Sequence, residues 1–213
     1  MIVVIEPQNA RRHEKLLAEM FRLRARVFRD KMNWDVEVID GMERDKFDEE
    51  QPVYLVLTDE QQQQVYGSLR LLPTTGPTLL QDTFSDTLPD AVGLTSPTIW
   101  ECTRLCIDDK LVGDRPENLM MASALLIEGL GEVALKAGIE TVLGVFEPLM
   151  LRVYRRIGCS VDILGCTRRF ERPVYLGSFA VSAEILESVK LRIRQARAQH
   201  SPAENAGIST LAA

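Results

Sequence analysis

Short β-branched runs and longer apolar-periodic segments mingle along this 213-residue chain, and their order restricts the fold more than any other feature. Met1 to Glu6 is a β-branched run and reads as a strand. From about Ala10 to Arg29, the residues Leu16, Leu17, Met20, Leu23 and Val27 recur at spacings of three and four, which predicts a helix with one apolar stripe. Residues 31–51 are rich in charge and show no clean period. Two apolar segments, Val53 to Leu57 and Val65 to Leu72, flank a polar run of glutamines and predict a β-hairpin. Residues 73–97 carry four prolines and read as loop with room for one short helix. Thr98 to Ile107 predicts a strand, and Glu117 to Ala137 a helix ended by Gly138. Glu140 to Phe146 predicts a strand, and Pro148 to Ile157 a helix with Gly158 after it. Val161 to Leu164 and Val174 to Phe179 read as strands, and Ser182 to Gln199 as a basic helix. The order β-α-β-β-β-α-β-α-β-β-α predicts an α/β chain with a mixed sheet and helices on both faces. Residues 1–199 read as one domain, and residues 200–213 as a polar tail without fixed structure.

Composition removes several function classes. A hydrophobic content of 46% and a charged content of 26% suit a globular chain with a real core. The net charge of −6 argues against nucleic acid as a partner. The two histidines, His13 and His200, lie near the ends. A Ser–His–Asp or Cys–His system and a His-rich metal site are therefore not expected, nor is any metal or other cofactor. Carboxylates and arginines are left to do the polar work. Cys102, Cys106, Cys159 and Cys166 show no C-x-x-C spacing and read as small buried hydrophobes of a reducing compartment. No apolar run approaches a membrane span, and Met1 to Glu6 lacks the basic flank of a signal peptide. The expectation is a cytoplasmic protein with no membrane partner. Gly129 and Gly131 fall inside a predicted helix, so they are no dinucleotide fingerprint.

Charge breaks the pattern at three places. Arg70 interrupts Leu69 to Leu72, and Glu101 and Arg104 interrupt the run from Ile99 to Leu105. Arg24 and Phe28 stack at the edge of the first helix's apolar stripe. A charge in a central strand must be paired or solvated, because burying it alone costs about several kcal/mol. Strand alternation puts Glu101 and Arg104 on opposite faces, so a shared site requires a bulge that re-aims one of them. An unbroken ladder from Trp100 to Leu105 would exclude that. Taken singly, each charge is as well explained by a structural ion pair, Glu43 to Asp48 by a solvated run, and Trp34 by core packing.

Together these residues occur in one order: Arg24, Phe28, Trp34, then Asp45 and Asp48, then Arg70, Phe84, Glu101 and Arg104. With the local strings at residues 21–28, 43–48, 69–77 and 101–104, that order resembles the acyl-homoserine lactone synthases of the LuxI type. The resemblance implies a fold similar to the GNAT acyltransferases, with a mixed, mostly antiparallel sheet. It implies acylation of the amino group of S-adenosylmethionine by an acyl carrier protein or coenzyme A thioester. Lactone closure and release of methylthioadenosine follow, giving a quorum-sensing signal. On that reading Glu101 takes the amine proton as general base. Trp34 and Phe28 offer aromatic faces to the cation and adenosine. Arg24 or Arg104 holds the carboxylate. Asp45 and Asp48 organise the arginines, Arg70 included. Phe84, Thr103, Gly144, Phe146 and Met150 belong to the substrate-binding set. The acyl tunnel draws on Leu119, Met120, Met121, Leu125, Val142, Phe146, Leu149, Met150 and Leu151, most of them core. Family members that make 3-oxo signals commonly carry a threonine at what resembles the Gly144 position, so Gly144 implies an unsubstituted chain.

The rival reading is a GNAT-type N-acetyltransferase using acetyl-coenzyme A. The segment Arg115-Pro116-Glu117-Asn118 lacks the Gly-rich pyrophosphate turn that such enzymes usually show, which favours a carrier-protein donor. Net charge also hides an asymmetry: residues 1–150 hold 15 basic and 26 acidic side chains, whereas residues 151–213 hold 10 and 5. Arg152, Arg155, Arg156, Arg168, Arg169 and Arg172 read either as a solvated face or, as the resemblance implies, as the surface that docks an acidic carrier protein.

Overall fold

Each predicted strand and helix has a counterpart in a computed structural model of the chain, which describes residues 1–87, 94–169 and 172–199. The side chains of residues 169, 172 and 199 and the predicted tail at 200–213 lie outside what is described. In chain order the elements are β1 (Ile2–Ile5), α1 (Glu14–Arg24), β2 (Val38–Ile39), β3 (Met42–Glu43), β4 (Val53–Thr58) and β5 (Val65–Pro73). They continue with α2 (Leu79–Asp82), β6 (Ile99–Ile107), α3 (Asp109–Val112), α4 (Pro116–Lys136), β7 (Thr141–Phe146) and α5 (Met150–Ile157). The last three are β8 (Asp162–Arg169), β9 (Arg172–Ala180) and α6 (Ala183–Gln199). The chain forms two compact units, one of Met1–Arg70, Arg104–Leu126 and the described residues from Gln195, the other of Leu71–Thr103 and Ile127–Arg194.

In the first unit the strand order is β1-β4-β5-β6. β1 runs antiparallel to β4, with Val3 opposite Val56 and Ile5 opposite Tyr54. Asp108 donates its N–H to the Tyr66 carbonyl at 2.8 Å, tying the end of β6 to the start of β5. Leu16, Met20 and Leu23 of α1 pack with Val3, Ile5, Val56 and Val65, as the apolar stripe requires. The helix does not stop cleanly. A 3-10 turn at Ala10–His13 precedes it, and a π turn at Ala25–Lys31 prolongs it beyond the predicted end. The stretch without a period holds the small β2–β3 ladder and a 3-10 turn at Lys46–Asp48. Such short pieces bury too little to leave a hydrophobic period, and Asp45 and Asp48 close the turn as a capping box.

In the second unit the order is β5-β6-β7-β9-β8. β6 and β7 are parallel, whereas β7 with β9 and β8 with β9 are antiparallel, so the sheet is mixed and mostly antiparallel. The β6–β7 register runs from Ile99–Thr141 to Cys102–Gly144 and ends, while β7 continues along β9 to Phe146. The two parallel strands therefore part after Cys102. Gly158 ends α5 at a φ of +91°, the left-handed conformation that favours glycine. Two expectations are corrected. Leu149 is 66% exposed rather than core or tunnel lining, because it precedes the first turn of α5. Cys166 is an exposed thiol on β8, whereas burial pushes the Cys159 thiol up to about 11.

α4 corrects a third. With 21 residues and a mean hydropathy of 1.4 in its most apolar window, it is long and apolar enough to cross a membrane. It nevertheless buries Met121, Ala122, Leu125, Leu126 and Ala134 inside the protein, as a core helix does.

Gly144 and Gly177 face each other across β7 and β9 but differ in space. A Cβ on Gly144 would meet nothing closer than 3.5 Å, whereas one on Gly177 would lie 2.6 Å from the Phe146 ring and from Val161. Gly177→Ala is expected to destabilise the fold by about 1–3 kcal/mol through overpacking. Gly144→Ala should stay within about 0.5 kcal/mol of the parent. Urea unfolding of both variants checks the contrast.

Candidate functional site

The interrupting charges of the first unit close into a ring. Arg24 comes from the last residue of α1, Glu43 from β3, Asp45 and Asp48 from the 3-10 turn, Arg70 from β5 and Arg104 from β6. Arg24 Nε donates to Glu43 Oε2 at 2.5 Å, and its two Nη atoms donate to the two Asp48 oxygens at 2.8 and 2.9 Å. Arg70 grips Asp45 through both Nη atoms, at 2.5 and 3.0 Å, and shares Asp48 Oδ1 at 2.8 Å. Arg104 Nε donates to Glu43 Oε1 at 3.1 Å, and its Nη2 lies 2.8 Å from Asp45 Oδ2. Each carboxylate thus bridges two arginines, and each arginine bridges two carboxylates. Three positive and three negative charges balance, which is the condition for burying them at all.

Burial sorts the ring. Arg24, Glu43 and Arg70 are at most 1% exposed, whereas the side chains of Arg104 and Asp45 keep 10% and 18%. Burial alone would raise the Asp48 carboxyl. The hydrogen bond and charge of Arg24, the charge of Arg70 and the Asp45 N–H outweigh it and hold the group well below the usual carboxylate range. Burial alone would lower the Arg24 guanidinium, but Asp48 and Glu43 raise it. Tyr54 donates its hydroxyl to Asp48 Oδ1 at 2.7 Å, and burial with that neighbouring charge pushes its phenol up.

Arg104 reaches the ring through a break in β6. It has a φ of +54°, a conformation that costs a non-glycine residue about 1–2 kcal/mol. Glu101 and Thr103 are buried at alternate positions, and the next buried residue is Cys106, so the alternation slips at Arg104. The backbone is therefore irregular at Arg104, where sequence alternation alone would continue regularly. Arg104 Nη1 makes no hydrogen bond among the described residues, and the guanidinium lies 5.4 Å from the Phe28 ring centroid. Phe28 is 2% exposed and stacks on Trp34, with centroids 5.1 Å apart and planes 17° from parallel. Trp34 is 41% exposed, so it is not a core residue.

In the second unit Glu101 is 1% exposed. Its oxygens accept the N–H groups of Leu79 and Leu80, at 2.9 and 2.6 Å, which fix the carboxylate's orientation. Phe84 packs half-buried against Leu80, Leu143 and Leu176. Phe146 lies edge-on to Tyr154, centroids 5.1 Å apart, and beside Phe179 at 6.0 Å. Thr103 and Gly144 are buried in β6 and β7, and Met150 is half-buried at the start of α5. Arg152, Arg155, Arg156 and Arg168 are exposed, and the side chains of Arg169 and Arg172 fall outside the described residues.

Sequence reasoning assembled Arg24, Asp45, Asp48, Arg70 and Arg104 but missed Glu43 and Tyr54. Glu43 stands two residues before Asp45, a spacing that points both carboxylates to one side of an extended segment. Tyr54 carried no such signal, because it looks like any core aromatic of a hairpin. Arg24, placed at the edge of an apolar stripe, is instead wholly buried.

A family model described as autoinducer synthase matches residues 7–189. An acyl-homoserine-lactone synthase of Rhizobium etli is 42% identical over 185 residues, covering 86% of this chain and 86% of its own. One from Pseudomonas aeruginosa is 36% identical and covers 74% of this chain and 80% of its own. Among solved structures, BjaI, a coenzyme A-dependent acyl-homoserine lactone synthase with SAM and isopentyl-CoA, superposes with a TM-score of 0.81. It is 27% identical, and the match covers 91% of this chain and 89% of that one.

Asp48→Asn leaves an excess positive charge among buried guanidiniums and is expected to cost about 3–5 kcal/mol at pH 7. Because the Asp48 pKa is depressed on folding, its contribution is complete above the ordinary carboxylate range, begins to fall as pH drops through about 4, and is fully lost only below the much lower folded value. Urea unfolding of parent and variant from pH 7 to pH 3 should therefore show the two stabilities converging on the acid side.

Proposed function

Because the chain belongs to the autoinducer synthase family, we propose that it is an acyl-homoserine-lactone synthase acting on S-adenosylmethionine and an acyl thioester. It is an acyltransferase. The family match over residues 7–189 supports reading residues 1–199 as one synthase domain.

The carrying observation is the solvent-facing edge of the ring, where Asp45 and Arg104 stand beside the Phe28–Trp34 stack. S-adenosylmethionine presents a sulfonium, an ammonium and a carboxylate. The stack suits the sulfonium and adenosine. Asp45 suits the ammonium. Arg24 has Nε and both Nη atoms committed within the ring, so the substrate carboxylate falls to Nη1 of Arg104. In the acyl step the substrate nitrogen attacks the thioester carbonyl, the new N–C bond replaces the C–S bond, and the thiol leaves. Glu101 accepts the amine proton, held in one orientation by the Leu79 and Leu80 N–H groups. The substrate carboxylate then displaces methylthioadenosine from its own γ-carbon and closes the lactone. Gly144 offers no hydroxyl to a 3-oxo group, which supports an unsubstituted acyl chain. Exposed Arg152, Arg155, Arg156 and Arg168 support an acyl carrier protein as donor.

Incubation with S-adenosylmethionine and an acyl thioester should release methylthioadenosine, with the carrier-bound donor preferred to the coenzyme A form. Consumption of acetyl-coenzyme A without methylthioadenosine would instead mark an ordinary N-acetyltransferase. Glu101→Gln should lower turnover roughly 10²–10⁴-fold while leaving substrate binding intact. Charge reversal at Arg155 and Arg156 should raise the Michaelis constant for the carrier protein, and an unchanged constant would exclude that docking surface.

A further inference from the structure

The aromatic stack depends on how α1 ends. Over Ala25–Lys31 the helix widens into a π turn. Met32 donates its N–H to the Val27 carbonyl at 3.0 Å, and Trp34 donates to the Phe28 carbonyl at 2.8 Å. Between them Asn33 takes a φ of +53°, which folds Trp34 back over Phe28. π turns are rare and concentrate at functional sites. No proline or glycine from Arg24 to Trp34 accounts for this one.

Two ion pairs flank it, both within the first unit. Arg26 Nη2 lies 2.7 Å from Asp108 Oδ2, and Lys31 Nζ lies 2.6 Å from Asp109 Oδ2. Arg26 and Lys31 are five residues apart. In an α-helix they would point about 140° apart around the axis. Hydrogen bonding from i to i+5 instead stacks them on one side. The widened turn is thus the register in which two adjacent aspartates can take both cations. The anchor is firm, because Asp108 is buried and its other oxygen caps α3 by accepting the Lys110 and Leu111 N–H groups at 3.1 and 3.3 Å. On the inward side of the same turn Phe28 faces Arg104.

We propose that Arg26 and Lys31, held by Asp108 and Asp109, clamp the π turn and thereby position the Phe28–Trp34 stack for the sulfonium substrate. The substrate in this statement rests on the synthase reading above. Arg26 and Lys31 are positioning residues that act through the aromatic pair. Arg26 and Lys31 keep 41% and 54% of their side chains in solvent, and buried Asp108 retains its α3 cap without them, so removing the two cations should act on the local register and leave the thermal midpoint nearly unchanged.

The chain has two tryptophans, and Trp100→Phe leaves Trp34 as the one reporter. In that background, Arg26→Gln with Lys31→Gln is expected to shift the Trp34 emission maximum at an unchanged thermal midpoint. The same pair should raise the Michaelis constant for S-adenosylmethionine roughly five- to tenfold with turnover within about twofold. The charge swap Lys31→Asp with Asp109→Lys should return both readouts toward the parent. Unshifted Trp34 emission with both pairs removed overturns the clamp. So does a Michaelis constant that rises only in step with a falling thermal midpoint, or a loss confined to turnover. If the parent enzyme releases no methylthioadenosine, the synthase reading fails, and Trp34 emission still decides the clamp.

Discussion

The alternating ring of Arg24, Glu43, Arg104, Asp45, Arg70 and Asp48 is the interaction on which the first unit depends. Six charges leave bulk water there, each at a cost of about several kcal/mol. The cost is offset because every carboxylate meets two guanidiniums and most contacts lie between 2.5 and 3.1 Å. The members come from α1, β3, a 3-10 turn, β5 and β6, so closing the ring fixes five pieces of chain against one another. A core of leucines and valines could hold those elements together. It could not specify where each of them stops along its axis, which directional hydrogen bonds do.

Two departures from regular backbone serve that ring and its neighbour. Arg104 adopts a left-handed conformation within a strand, and α1 opens into a π turn that carries Phe28 and leads to Trp34. Each costs conformational energy that the surrounding contacts must overcome. Arg104 obtains Glu43 and Asp45 in return, and the π turn obtains Asp108 and Asp109. The outcome is a charged edge and an aromatic stack side by side. In the second unit the same economy of parts recurs: β6 and β7 part after Cys102, and Glu101 is fastened by two backbone N–H groups at the start of α2.

Long periodic elements were legible in the sequence because burial on one face leaves a repeating signature. The stripe of α1, the hairpin of β4 and β5, α4, and the glycine that ends α5 all stand where patterning puts them. β2, β3 and α3 were not legible, since two to four residues hold no full period and are stabilised by tertiary contacts. The site divided in the same way. A charge in an apolar strand announces itself, so Arg70, Glu101 and Arg104 were found. Tyr54 was not, because a tyrosine in a hairpin looks the same whether or not its hydroxyl meets a buried aspartate. Leu149 was misplaced because an apolar residue at the edge of a helix start carries no mark of which side faces solvent.

By itself the sequence determined the kinds of group available: no histidine between residues 13 and 200, a surplus of carboxylates and arginines, and the aromatics Phe28 and Trp34. It also determined that the charges in β5 and β6 had to be paired or solvated, because an isolated charge at those positions would be too costly to bury. Only the tertiary structure decided the pairing. Which carboxylate meets which guanidinium, which arginine is least buried, and which aromatic stays exposed follow from where separate elements end. Those ends are set by packing and by the positive φ values at Asn33 and Arg104, neither of which residue type or spacing encodes.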